Sequence, residues 1–170
     1  MTYCVGIKLD AGIVFVSDSR TNAGVDQVRT FRKTHRFERA GERIIVVQTA
    51  GNLALSQAVL STRARRFNPS RSASRYGTRR RCSTWQRSTN LSLHEAAKCA
   101  LVSMDSTMKS NLSVGLPLDL VCYRADSFVV DQHKLIDDQD AYFNSIRRSW
   151  GQQLRKVFDE LPNPQWWSGR

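Results

Sequence analysis

MTYCVGIKLDAGIVFVSD, residues 1–18, decides how this chain is read. In its first half Tyr3, Val5, Ile7 and Leu9 alternate with Cys4, Gly6 and Lys8, the period of two expected of a strand with one face inward. A second strand follows near 12–18, joined to the first by the tight Asp10-Ala11-Gly12 turn, a hairpin signal. Thr2 therefore stands immediately ahead of a buried strand, where ordinary chains let a polar leader fray. Removal of Met1, usual when a small residue follows, leaves Thr2 with a free α-amine held by the sheet. A hydroxyl beside its own amine is one way to activate a nucleophile. A small residue after an initiator Met also has a plain processing explanation, and the position alone does not choose.

Composition narrows the field. With 170 residues the chain has the length of one domain with a proper core. Cys4, Cys82, Cys99 and Cys122 are scattered without a C-x-x-C pair, and there is no basic-plus-apolar leader. We expect reduced thiols and a cytoplasmic protein. No apolar run approaches the roughly 18 residues that a membrane span requires, so no membrane partner is expected. His35, His94 and His133 lie far apart, without metal-ligand spacing. Neither a metal nor another cofactor is expected.

The net charge of +11 is unevenly distributed. Residues 63–90, RARRFNPSRSASRYGTRRRCSTWQRSTN, hold nine arginines and no acid, which leaves +2 for the rest. The block contains no Val, Ile, Leu, Met or Lys, so it buries too little apolar surface to offset ordering and reads as irregular. Arg-Ser tracts with Tyr76 and Trp85 interleaved have the chemistry to bind RNA phosphates and stack on bases. No recognisable nucleic-acid module surrounds them, and a solvated or damaged insert is the preferred reading.

Outside that block the order is sheet, helix, interruption, helix, sheet, helix. A strand is expected around 30–38. RIIVVQTA (43–50) reads as a strand covered on both faces, and NLALSQAVLSTR as helix through Leu53, Leu55, Ala58 and Val59. Ser92 and Glu95 form an S-x-x-E capping box ahead of a helix whose apolar face is Leu93, Ala97, Ala100, Leu101, Met104 and Met108. GLPLDLVCY and SFVV read as strands turning around Arg124-Ala125-Asp126. A last helix, about 141–158, has Phe143, Ile146, Trp150, Leu154 and Phe158 on one face. The pattern predicts antiparallel sheet covered by helices, an α+β layered domain.

Three stretches carry candidate chemistry. FVSDSR ends the second strand with Asp18 and Arg20, FRKTHRF places Lys33 on the third, and QTAGN ends the fourth at Gly51. A threonine nucleophile requires a base, a nearby cation and donors for the oxyanion. The α-amine, with an unperturbed pKa of about 7.7–8.0, suits proton transfer near neutrality. Lys33 supplies a cation, Asp18 a group to hold it, and amides at Gly51 a place for the oxyanion. Each also has a dull reading: a surface ion pair, a polar strand residue, a glycine turn. Their combination raises the functional one.

MTYCVGIKLDAGIVFVSDSRTNAGVDQVRTFRK resembles the start of the bacterial proteasome-related Anbu ("ancestral β-subunit") family, relatives of HslV and proteasome β-subunits. TAGNLALSQAVL, EAAKCALVSMDSTMKSNLSVGLPLDL and AYFNSIRRSWGQQLRKVFDELPNPQWW match in order, so only residues 63–90 stand outside. The resemblance implies an N-terminal-nucleophile hydrolase fold, an αββα sandwich assembled into homo-oligomeric rings or spirals. It makes Thr2 the nucleophile, Asp18 and Lys33 its charged partners, Arg20 the neighbouring arginine and Gly51 the oxyanion-hole glycine. Ser113 matches the serine near the terminal amine, while Ser110 stands where proteasome β-subunits have an aspartate.

The implied activity is a threonine-type endopeptidase acting on unfolded protein or peptides in intracellular protein breakdown. Family members carry more strands and a helix where this chain has residues 63–90, so the domain reads as incomplete in the middle. The block has the composition of a wrong reading frame accompanied by a deletion. The alternative is an inactive remnant or assembly protein whose basic block binds acidic partners. In either case limited trypsin digestion should cut first within residues 63–90, at nine arginines. First cuts elsewhere, with that block intact, contradict the reading.

Overall fold

Leu9 pairs with Gly12 across Asp10 and Ala11, closing a two-residue hairpin between β1 (Cys4–Leu9) and β2 (Gly12–Asp18). The computed structural model describes residues 2–22, 28–39, 41–66, 91–164 and 166. Gly12 has φ +148°, and a Cβ there would overlap the Tyr123 carbonyl oxygen, so the turn admits only glycine. Next come β3 (Arg20–Asn22), β4 (Val28–Thr30), β5 (Thr34–Arg39), β6 (Arg43–Gln48) and α1 (Leu53–Arg66). After the basic block follow α2 (Leu93–Ser110), β7 (Leu118–Arg124), β8 (Val130–Ile136) and α3 (Ala141–Glu160).

The main sheet is antiparallel, in the order β1-β2-β7-β8. Its first face carries Val5, Ile7, Val14, Val16, Leu118, Leu120 and Cys122, and packs with Ala96, Ala100, Leu101 and Met104 of α2. Two alanines let the helix approach the sheet closely, and Met104 is fully buried. The capping box forms: the Glu95 amide donates to Ser92 Oγ and the Ser92 amide to Glu95 Oε2. Those Ser92 donors hold the Glu95 carboxyl below its ordinary pKa. Asp105, wholly buried on α2, receives Lys109 Nζ at 2.6 Å and Arg147 Nε of α3 at 3.2 Å. Phe143 of α3 fills the same core, and its amide donates to the N-cap carboxylate of Asp140. Lys134 first, then that amide, lowers the Asp140 pKa.

On the second face the β5–β6 hairpin is tied to β2. Ser17 Oγ and Thr34 Oγ1 lie 2.8 Å apart, and Gln48 Nε2 donates to the Val16 carbonyl at 3.1 Å. Nearby, buried Asp119 lies 2.7 Å from His133 Nε2 and 3.3 Å from Arg32 Nε. The Arg32 contact is an ion pair without hydrogen-bond alignment. Burial, chiefly, pushes the His35 pKa down.

Several expectations are corrected. The strand expected around 30–38 is two: β4 pairs with β3 as a small hairpin, and Phe31–Lys33 break the ladder before β5. Lys33 thus precedes a strand rather than lying on one. β6 is half-buried throughout rather than covered on both faces, because among the described residues its sheet has only two strands. Of SFVV only Val130 is strand: the chain turns at Ala125–Asp126, Asp126 and Phe128 have positive φ, and β8 begins at Val130.

The longest corrections concern helices. α1 runs to Arg66, so the basic block opens as helix, in keeping with the good helix propensity of Ala and Arg. Residues 67–90 lie outside the described ones. Leu55 and Val59 of α1 are exposed rather than packed. On α3 Phe143 is buried and Ile146 packs against the core, whereas Trp150, Leu154 and Phe158 of the same stripe are exposed. Among the described residues no helix is long and apolar enough to cross a membrane.

These burial differences predict unequal costs. Phe143→Ala should destabilise by about 3–5 kcal/mol in urea unfolding. Phe158→Ala, at 75% exposure, should stay within about 0.5 kcal/mol. Equal losses would contradict this packing.

Candidate active site

Asp18, at the end of β2, is fully buried, and Lys33 is 5% exposed beside it. Lys33 Nζ donates to both Asp18 oxygens at 2.8 Å and to the Arg20 carbonyl at 2.7 Å, matching its three hydrogens with three acceptors. The same Oδ1 accepts the Tyr3 amide at 3.0 Å, while the Asp18 amide donates to the Tyr3 carbonyl. One carboxylate therefore holds the ammonium and the residue that follows Thr2. Full satisfaction matters, because an unpaired charge at this depth is strongly unfavourable.

Local backbone bonds explain why Lys33 stands there. The Phe31 amide donates to the Ser19 carbonyl at 2.7 Å, and the Ser19 amide to Pro117 at 2.9 Å. On the other side the Lys33 carbonyl accepts both the Thr49 amide at 2.9 Å and its hydroxyl at 3.3 Å. The break in the ladder at residues 31–33 is thus bonded on both flanks.

Thr2, Arg20, Lys33 and Gly51 share a cavity of about 390 Å³, lined also, among the described residues, by Thr21, Thr49, Ala50, Leu53 and Ser56. Gly51 has φ +91°, a left-handed conformation that favours glycine, and turns the chain from β6 into α1. Asn52 then caps the helix, its Oδ1 accepting the Leu55 amide at 3.1 Å. Arg20 packs against the 111–117 loop, its Cδ 2.9 Å from where a Cβ on Gly115 would stand. Met1 lies outside the described residues.

The two serines are placed differently. Ser113 is half-buried in the 111–117 loop but does not line the cavity, and its hydroxyl donates to Asn111 Oδ1 at 2.6 Å. Ser110 is exposed at the end of α2, bonded back to the Ser106 and Thr107 carbonyls. Sequence reading missed Thr21, Thr49 and Ser56 as lining. Thr49, two residues before Gly51, had a signal, since any wall around that glycine includes its strand. Thr21 and Ser56 had none.

The arrangement offers a threonine hydroxyl, a fixed ammonium and a glycine backbone around one space large enough for a side chain and a peptide bond. That is equipment for acyl transfer. Among the described residues no group of three His, Cys, Asp or Glu is placed to hold a metal ion.

Three solved structures are similar along almost the whole chain. Anbu (ancestral beta-subunit) from Yersinia bercovieri is 32% identical, with 95% of this chain and 98% of that chain covered at a TM-score of 0.83. The helical assembly of the Anbu complex from Pseudomonas aeruginosa is 30% identical over 98% and 99% of the two chains, TM-score 0.83. The Anbu (Gly-1) mutant from Hyphomicrobium sp. strain MC1 is 27% identical over 97% and 100%, TM-score 0.83. No family model matches the sequence, and no curated protein does.

Because Lys33 neutralises a buried carboxylate, Lys33→Ala should cost about 3–5 kcal/mol in urea unfolding. Lys8→Ala, at an exposed position, should stay within about 0.5 kcal/mol. Similar losses for the two would contradict the buried pair.

Proposed function

The chain belongs to the Anbu family of proteasome-related ancestral β-subunits and has their N-terminal-nucleophile fold; from that premise we propose that it is a threonine-type peptidase subunit. The observation that carries the reading is the shared cavity of Thr2, Lys33 and Gly51, with Asp18 joining Lys33 to the backbone after Thr2.

In this mechanism loss of Met1 frees the Thr2 α-amine. The amine takes the Thr2 hydroxyl proton as Oγ1 attacks a peptide carbonyl, while the Lys33 charge favours the developing alkoxide. Backbone amide at Gly51 donates to the oxyanion. Collapse of the tetrahedral intermediate breaks the C–N bond, and the proton passes to the leaving amine. Water then attacks the Thr2 ester, releasing the acid and restoring the hydroxyl. The substrate is a peptide or an unfolded segment in the cytoplasm, because only an extended chain presents its backbone in so small a cavity.

Assembly belongs to the same reading. The uncovered apolar residues of α1 and α3 suit burial against other copies in a ring or spiral, and the Pseudomonas aeruginosa Anbu complex is a helical assembly.

A second reading, a non-catalytic subunit of the same fold, is favoured by the serines. Ser113 stands off the cavity, its hydroxyl engaged by Asn111, and Ser110 is bonded back to its own helix. The basic block would then serve an acidic partner.

The two readings separate at the terminus. N-terminal sequencing should find Thr2 first, and a peptide vinyl sulfone should label wild type but not Thr2→Ala. Retained Met1 on most molecules, or labelling that survives Thr2→Ala, contradicts the threonine mechanism.

A further inference from the structure

Thr2 stands just outside the ladder. Pairing of β1 with β2 begins at Cys4 opposite Ser17, so Thr2 and Tyr3 lead the strand without belonging to it. The backbone of Tyr3 is held at Asp18: its amide donates to Oδ1 at 3.0 Å, and its carbonyl accepts the Asp18 amide at 3.2 Å. Both bonds run to one residue along one edge, and a strand end tied at one edge can still roll about it. The side chain supplies a further point. Tyr3 Oη lies 2.8 Å from Ser103 Oγ of α2.

That bond bears on Thr2 through the period of two. Tyr3, Val5, Ile7 and Leu9 pack with the core beneath α2. Cys4 points the other way, its Sγ 4.0 Å from the Thr49 carbonyl that follows β6. Side chains alternate along an extended chain, so Thr2 shares the face of Cys4 and lines the cavity together with Thr49. A roll of the chain at Tyr3 would turn both residues at once, the phenol away from α2 and the threonine out of the cavity. Ser103 is a firm anchor, because it adjoins Met104, which is buried with Ala100 in the core.

We propose that Tyr3 is a positioning residue whose phenol, bonded to Ser103, sets the face on which Thr2 is presented to the cavity. Tyr3 does not itself line that cavity, so it acts through the backbone it shares with Thr2. A phenyl ring alone would fill the same space, so packing does not account for the hydroxyl; the oxygen ties the strand end to the helix. The placement of Thr2 stands on this geometry, while its consequence for acyl transfer rests on the peptidase reading. Displacing a reacting group by about 1 Å costs on the order of a hundredfold in rate.

The test uses the full chain with isotope-labelled threonine methyls, the Thr2 signal being assigned by its loss in Thr2→Ser. NMR relaxation then measures the order of that methyl in wild type and variants. The expected result is an ordered methyl in wild type and a similar loss of order in Tyr3→Phe and Ser103→Ala. The double variant should lose no more than either, and Ser103→Thr, which keeps the hydroxyl, should retain the order. The methyl of buried Thr34 should stay unchanged throughout, which separates a local lock from general loosening. An unchanged Thr2 methyl in Tyr3→Phe, or a loss shared equally by Thr34, overturns the inference. The chemistry is read separately, by resolving vinyl sulfone labelling of Thr2 into an affinity and a maximal rate. Tyr3→Phe should lower the rate about tenfold or more and leave the affinity unchanged. Equal rates overturn the role in acyl transfer. A wild type that never labels sinks the peptidase reading instead, and the methyl order still decides for or against Tyr3.

Discussion

The buried pair of Lys33 and Asp18 is the constraint on which the site depends. A carboxylate with no exposed surface and an ammonium at 5% exposure are tolerable only when every hydrogen finds an acceptor. That requirement brings three parts of the chain together: the start of β1 through the Tyr3 amide, the end of β2 through Asp18, and the break before β5 through Lys33. The Lys33 carbonyl then binds Thr49, which fixes the approach to Gly51. Thr2 faces Lys33 and Gly51 because satisfaction of one buried charge leaves these segments little other choice.

The two sides of the main sheet differ in completeness. Toward α2 and α3 it has a filled core, with Phe143 and Met104 fully buried and Asp105 bridged by Lys109 and Arg147. On the side of the β5–β6 hairpin the layer is thin: β6 is half-buried and α1 shows Leu55 and Val59 to solvent. The cavity lies on this thinner side, lined by Thr49 and Gly51 after β6 and by Leu53 and Ser56 of α1. Residues that shape the site therefore belong to elements with less support than those that hold the domain together, and assembly with further copies would change that balance.

Much of this was legible in the sequence, for physical reasons that also mark where legibility ended. The β1–β2 hairpin showed through period-two alternation and a turn that needs Gly12. α2 showed through its capping box and small-residue face. Thr2, Asp18, Lys33 and Gly51 were nameable from strand ends and, more sharply, from the family resemblance. What did not show depends on partners distant in sequence. Nothing in FRKTHRF says that the ladder breaks at Lys33, because the break is made by Ser19 and Thr49. Nothing in α3 says that Trp150, Leu154 and Phe158 stay exposed, since periodicity records an apolar face and not what covers it. Arg20 read as a companion of Asp18; that it packs against Gly115 of the 111–117 loop is visible only in three dimensions.

The central claim is that Thr2 presents its hydroxyl and its own α-amine together in the cavity beside Lys33. A crystal structure of the full chain treated with a peptide epoxyketone tests both groups at once, because this warhead closes a six-membered ring only on a nucleophile that carries an adjacent free amine. The account predicts a ring joined to both Oγ1 and the α-nitrogen of Thr2, with Lys33 Nζ still on Asp18. An intact Met1 with no adduct at Thr2, or an adduct on any other residue, would contradict it.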